Sequence, residues 1–132
     1  MAKAKISQSE NSVHYQVAQY LKIQFPHVLY HSDSSGELRT EAQRFRMAKI
    51  NKGAKWPDLF IAHPVGTRHG LFIEIKRDRS VLYKADGVTF KDEHVTGQNK
   101  ILQHLKALGY GAYFGCGFAE CKYLIDNYLS GR

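Results

Sequence analysis

Two carboxylates and a lysine in this chain have the types and spacing to hold a hard metal ion and act on a phosphate. Asp58 opens the run Asp58-Leu59-Phe60-Ile61-Ala62, and sixteen residues later Glu74 lies near the end of Leu71-Phe72-Ile73-Glu74-Ile75-Lys76. Both runs are rich in β-branched and aromatic residues, and the stretch between them carries Pro64, Gly66 and Gly70, so they read as the strands of a hairpin. Side chains alternate along a strand, which puts Glu74 and Lys76 on one face about 7 Å apart and Leu71, Ile73 and Ile75 on the other. A register that sets Asp58 opposite Glu74 places Phe60 against Phe72 and brings the two carboxylates to roughly 5 Å at Cβ. Like charges so close are unfavourable unless a cation lies between them, and a hard divalent ion, Mg²⁺ first, suits oxygen donors. A lysine two residues beyond such a ligand can orient or help deprotonate a water and can stabilise charge growing on a phosphate. The expected chemistry is phosphodiester hydrolysis. A half-exposed strand alternates apolar and charged residues in any case, so the rest of the chain has to weigh in.

The 132 residues are enough for one domain, read here as 1–132, with a core that needs no staples. Nineteen basic residues stand against twelve acidic ones, giving a formal charge of +7 and a pI near 9.5. That balance favours a polyanionic partner, nucleic acid foremost, by steering and counterion release. Cys116 and Cys121 lie five apart, match neither a zinc spacing nor a redox pair, and are expected as buried free thiols. The first eight residues have no apolar stretch of signal-peptide length, and no run of 18 apolar residues occurs. The expectation is a soluble, cytoplasmic protein with no membrane partner.

The elements that must position the three residues follow from punctuation and periodicity. Ser7-Gln8-Ser9-Glu10 fits a capping box, after which Val13, Val17, Tyr20 and Leu21 recur at helical spacing until Pro26, giving a helix over about 9–25. Val28 to Tyr30 reads as a short strand. Thr40-Glu41-Ala42-Gln43 is a second capping box, opening a helix that ends near Gly53. Arg39, Arg44, Arg46, Lys49, Lys52 and Lys55 make a basic patch leading to Trp56-Pro57-Asp58. After the hairpin, Val81 to Lys84 and Val88 to Lys91 flank Ala85-Asp86-Gly87 as a small ribbon. A helix from about Asp92 has Ile101, Leu102, Leu105 and Leu108 as its apolar stripe and Gly109 as its stop. Tyr110 to Phe114 is the fourth strand, and a last helix runs from about Ala119 to Leu129. The order predicts an α/β fold: a central mixed four-stranded sheet flanked by helices on both faces, its last two strands parallel across a helical crossover. The first helix is placed over the face carrying Asp58, Glu74 and Lys76.

Nearly the whole chain, from about Glu10 to Leu129, resembles the VRR-NUC domains of the PD-(D/E)XK nuclease superfamily. The resemblance rests on a glutamate ahead of the first helix, Gly53 before Pro57-Asp58-Leu59-Phe60-Ile61-Ala62, and Gly70-Leu71-Phe72-Ile73-Glu74-Ile75-Lys76. It continues with Gln98 on a helix with Leu102 and Leu105, Gly109-Tyr110, and Ile125 to Leu129. It implies a restriction-endonuclease-like core in which Asp58 and Glu74 bind Mg²⁺ or Mn²⁺, with the Ile75 carbonyl a further ligand, and Lys76 orients the attacking water. Glu10 is similar in position to a glutamate that the first helix lends to the metal, and Gln98 resembles a glutamine that supports the site by hydrogen bonding. Two local roles stay open: Glu10 as the reciprocal half of the Ser7 box, and Gln98 as a solvent-facing helix residue. The stretch between Lys76 and Gln98 is long for the pattern.

The implied activity is a Mg²⁺-dependent endodeoxyribonuclease of DNA repair or recombination. Without a separate recognition domain, selection by DNA shape is expected over sequence reading. The free-standing phage or bacterial members resemble Holliday-junction resolvases acting as homodimers, which places the chain in a bacterial or phage-infected cell. Flap or other DNA cleavage, a sequence-specific restriction-type activity and a non-catalytic DNA-binding relative are the alternatives. Arg77, Arg79 and Lys84, with the 39–55 patch, are the candidates for backbone phosphate contacts. Among seven histidines, His14, His63, His69 and His94 are those placed to approach the site.

Overall fold

In a computed structural model of the protein, the described residues are 9–33, 40–50 and 56–131. Helix α1 (Glu10–Gln24) starts at a Ser9 cap whose Oγ accepts the Ser12 N–H, so Glu10 is the first helical residue and has no part in a box with Ser7, which lies outside the described residues. Val13, Val17 and Leu21 form its buried stripe, and Pro26 follows its end. Strand β1 (Tyr30–Ser32) begins two residues later than expected, because the Val28 N–H is taken by Phe25 O in the turn around Pro26. Helix α2 (Glu41–Ile50) opens on the predicted reciprocal box: Thr40 Oγ1 accepts the Gln43 N–H and Gln43 Oε1 accepts the Thr40 N–H. None of its residues is buried.

Strands β2 (Leu59–Ile61) and β3 (Leu71–Lys76) pair antiparallel with Phe60 opposite Phe72 and Leu59 opposite Ile73, the expected register. Beyond β3 a 3₁₀ turn (Arg79–Val81) leads into the region expected as a ribbon, which is reduced to one bridge, Tyr83 to Phe90. Its tip is held by Asp86, which accepts the Val88 and Thr89 N–H groups and the Thr89 hydroxyl. Helix α3 (Glu93–Ala107) is capped by Asp92 and returns the chain to β4 (Gly111–Cys116), parallel to β3. At its exit Gly109 has φ +98°, and a Cβ there would lie 2.8 Å from the His69 ring, so both backbone and space demand glycine. Helix α4 (Phe118–Leu129) closes the described chain.

The sheet order is β1-β2-β3-β4, with helices on both faces. Leu59, Ile61, Leu71, Ile73 and Ile75 pack with Val13, Val17 and Leu21 of α1 and Cys121, Ile125 and Tyr128 of α4. The opposite face holds Phe72 and Ala112 against Leu102 and Leu105 of α3. This corrects the expected place of α1: its aliphatic stripe requires the wholly aliphatic face of β3, and α3 covers the face with Glu74. The stripe of α3 is also different, Val95, Gln98, Leu102 and Leu105, with Leu108 lying past the helix end and 56% exposed. Gly115 lets α4 sit down on β4, since a Cβ there would meet Cys121 Sγ at 2.5 Å and Ile73 Cγ2 at 2.9 Å. Among the described residues no helix is long and apolar enough to cross a membrane.

Candidate active site

The site forms where β2 and β3 part company. Continuing the β2–β3 register would set Pro57, which has no N–H, opposite Ile75. Asp58 fills the gap: its Oδ2 accepts the Ile75 N–H at 2.9 Å, while its carbonyl accepts the Asp33 N–H at 2.6 Å. Its carboxylate is thereby tied to the backbone of the strand that carries Glu74 and Lys76.

Glu74 and Lys76 lie on a central strand covered on both faces, and they are only 3% and 7% exposed. Gln98, 6% exposed, is the one polar member of the buried stripe of α3, and its Nε2 donates to Glu74 Oε1 at 3.0 Å. Its Oε1 is buried with no partner. Burial above all, then the charge of Asp58 and a hydrogen bond to it, pushes the Glu74 carboxyl far above the ordinary carboxylate range; Lys76 pulls the other way and Glu10 adds to the rise. Without a cation Glu74 therefore keeps its proton at neutral pH, and a divalent ion between the carboxylates would reverse that balance. The donor set is hard and oxygen-rich, and a buried carboxylate facing another with a lysine alongside fits a small divalent cation.

From α1, Glu10 and His14 approach the same place. His14 Nε2 lies 4.0 Å from Glu10 Oε1 and 3.9 Å from Asp58 Oδ2, and its Nδ1 is buried without a partner. One donor atom from each of Glu10, His14 and Asp58 falls within 4.8 Å of the others, a grouping able to hold a metal. The structure thus brings together Asp58, Glu74, Lys76, Gln98 and Glu10, with Ile75 bonded to Asp58. His14 belongs with them, and its place one turn after Glu10 on the same helix face is the signal that singles it out from the other histidines. His63 instead lies edge-on to His27, and His69 packs on Tyr110. His94 stands one turn ahead of Gln98.

The basic candidates are spread more widely. Arg44, Arg46 and Lys49 are exposed on α2, with the Lys49 ammonium 4.6 Å from the centre of the Phe45 ring. Arg77 leaves β3 directly after Lys76, Lys84 is exposed on the turn beyond, and Arg79 is engaged by Glu120 at 3.0 Å. Arg39, Lys52 and Lys55 lie outside the described residues. Trp56, singled out in the sequence only as the end of the basic patch, is 57% exposed with its indole edge-on to Phe72. The two cysteines are free, and burial pushes the Cys116 and Cys121 thiols up to about 11 and 12, so neither is a ready nucleophile.

Among solved structures, a VRR_NUC domain protein is similar over 98% of this chain and 93% of its own, with a TM-score of 0.62 at 24% identity. The fold is the VRR-NUC fold. Its mixed four-stranded sheet between helices is a PD-(D/E)XK-like core, and the site described above sits within that VRR-NUC fold at the diverging ends of β2 and β3. No family model matches the sequence. No curated protein matches it either.

Proposed function

We propose that this chain is a divalent-metal-dependent DNA endonuclease that selects branched substrates, in the manner of a Holliday-junction resolvase. The observation that carries the reading is the buried Glu74 carboxyl set against Asp58, with Lys76 two residues along the same face, in a VRR-NUC fold. Asp58 and Glu74 would hold Mg²⁺ or Mn²⁺, joined by the Ile75 carbonyl and by Glu10. Such an ion supplies a more acidic water and screens charge on the phosphate undergoing attack.

The protein's own groups do the positioning. The Ile75 N–H fixes the rotamer of Asp58, and the Gln98 amide fixes that of Glu74, so neither carboxylate has to be ordered when substrate arrives. Lys76, held in a largely buried site, is placed to orient water and to stabilise charge developing on the phosphate oxygens. Arg44, Arg46, Lys49, Arg77, Arg79 and Lys84, with Arg39, Lys52 and Lys55, take backbone phosphates, which fits the net charge of +7 and gives affinity without sequence reading. Two copies of the chain would cut opposing strands of a four-way junction, in the cytoplasm of a bacterial or phage-infected cell.

The test compares four-way junctions, flaps, supercoiled plasmid and plain linear duplex, each with Mg²⁺ and with EDTA. Junction cleavage that needs the ion and vanishes in Asp58→Asn supports the reading. Cleavage at one fixed sequence in plain duplex replaces it with a restriction-type activity, and DNA binding with no cleavage under any ion leaves a non-catalytic relative.

A further inference from the structure

Oxygen atoms suffice for the activity proposed above, yet α1 brings a nitrogen to the same place. The two separations from His14 Nε2, 4.0 Å to Glu10 Oε1 and 3.9 Å to Asp58 Oδ2, are too long for hydrogen bonds. They match instead the roughly 3 to 4 Å between two donors that each stand about 2.1 Å from a shared ion. The His14 side chain is 14% exposed, and its Nδ1 has no partner, so Nε2 is the ring's one polar outlet and it faces two carboxylates. A second buried polar group at the cluster is also incompletely used: Gln98, 6% exposed and bonded to Glu74, has an Oε1 with no partner.

We propose that His14 is a nitrogen ligand of the ion held by Asp58 and Glu10, and that it tilts the site toward transition-metal ions over Mg²⁺. The inference rests on the divalent-ion reading of Asp58. Mg²⁺ takes oxygen donors in a rigid octahedron and keeps its waters, whereas imidazole suits transition ions, so a His in the set gains nothing with Mg²⁺ and adds affinity for Mn²⁺. Helix geometry supplies the pair: residues four apart stand one above the other, so Glu10 and His14 present an oxygen and a nitrogen to one point from a single rigid element.

The experiment is metal binding by the full chain without DNA. Mn²⁺ is titrated and followed by loss of the free-ion electron paramagnetic resonance signal, alone and against Mg²⁺, and pulsed spectra of the bound ion are searched for coupling to nitrogen. Wild type, His14→Ala, His14→Gln and Asp58→Asn are compared, with thermal melts to establish that each is folded. The expected result is nitrogen coupling in wild type that both His14 variants lose, a fall in Mn²⁺ affinity of about 10- to 100-fold, and a change below about threefold for Mg²⁺. Mn²⁺ binding that Asp58→Asn abolishes, but that both folded His14 variants retain without nitrogen coupling in wild type, overturns the role of His14 and leaves the proposed function standing. Binding that Asp58→Asn leaves unchanged, or no binding at all, removes the metal site and the function resting on it.

Discussion

On one face of β3, Leu71, Ile73 and Ile75 disappear among the side chains of α1 and α4; on the other, Phe72 gives way within two residues to Glu74 and then Lys76. All six residues are buried, so the strand spends comparable burial on opposite ends. The aliphatic face gains from leaving water, at about 25 cal/mol per Å² of apolar surface. The other face loses by it, since an ionised carboxylate is expelled from low-dielectric surroundings and a second carboxylate stands beside it. A strand held so firmly on its first face can keep on its second an arrangement that would otherwise fly apart or refill with water. Stability and chemistry are therefore divided by the pleat, alternate residues of one strand serving each.

Adjacent substitutions break that division most sharply. Ile73→Ala should cost about 2–5 kcal/mol of stability, read by denaturant or thermal unfolding, because it opens a cavity between β3, α1 and α4. Glu74→Gln, one residue on, should leave the melting temperature of the metal-free protein unchanged or raised while lowering cleavage about 10³-fold or more, roughly 4 kcal/mol of barrier. Equal losses of stability from both substitutions would show that the two faces are not divided in this way.

The pH dependence sharpens the same point. Glu74 has a folded-state pKa raised above its value in the unfolded chain, near 4.5, so the folded state binds the extra proton and is favoured by it. That contribution is complete below about pH 4.5 and declines as the pH climbs toward the raised folded value. In EDTA, the stability difference between Glu74→Gln and wild type should therefore widen in favour of the variant between about pH 5 and pH 8. Adding Mn²⁺ at pH 8 should raise the melting temperature of wild type and leave that of Glu74→Gln nearly unmoved. A constant difference across that range would show that Glu74 ionises as freely as an exposed carboxylate.

Gln98 tests how much of the second face is scaffolding. Gln98→Leu keeps the side chain's bulk against Glu74 and removes both the bond to it and the unpartnered Oε1. Stability should change by less than about 1 kcal/mol, since a lost bond and a lost orphan offset each other. Cleavage should fall about 10- to 100-fold, as when an outer partner of a ligand is removed.

Much of this was legible in the residues. Gly70 and the charged end at Lys76-Arg77 fix the bounds of β3, and the pleat then forces Glu74 and Lys76 to one side; the register follows from matching Phe60 with Phe72. What the pattern could not say is which face α1 would take. Val13, Val17 and Leu21 announce a stripe in need of apolar cover, and both faces of the hairpin offer some; the choice is settled only when α4, with Ile125 and Tyr128, completes the aliphatic side. His14 was hidden for a related reason, because its importance depends on the end of α1 meeting Asp58, a contact 44 residues apart in the chain. Leu108 reads as the next member of a helical stripe, but the turn at Gly109 carries it into solvent.

Helix α2 stands at the other extreme from β3, since it buries nothing and its cations face water. Its sequence box forms as expected, so the helix is specified locally and owes little to the core. Replacing Arg44, Arg46 and Lys49 together by alanine should leave the melting temperature within about 1 °C, because alanine is the better helix former and no packing is lost. If the three cations lie on backbone phosphates, the slope of log affinity against log salt should shrink by about 0.9 for each, close to 3 in all. The loss of affinity should be nearly the same for junction and duplex, since phosphate contacts carry no shape or sequence information by themselves. A loss confined to junctions would instead give α2 a part in recognising the branch, and an unchanged slope would move the phosphate contacts to Arg77 and Lys84, beside the catalytic strand.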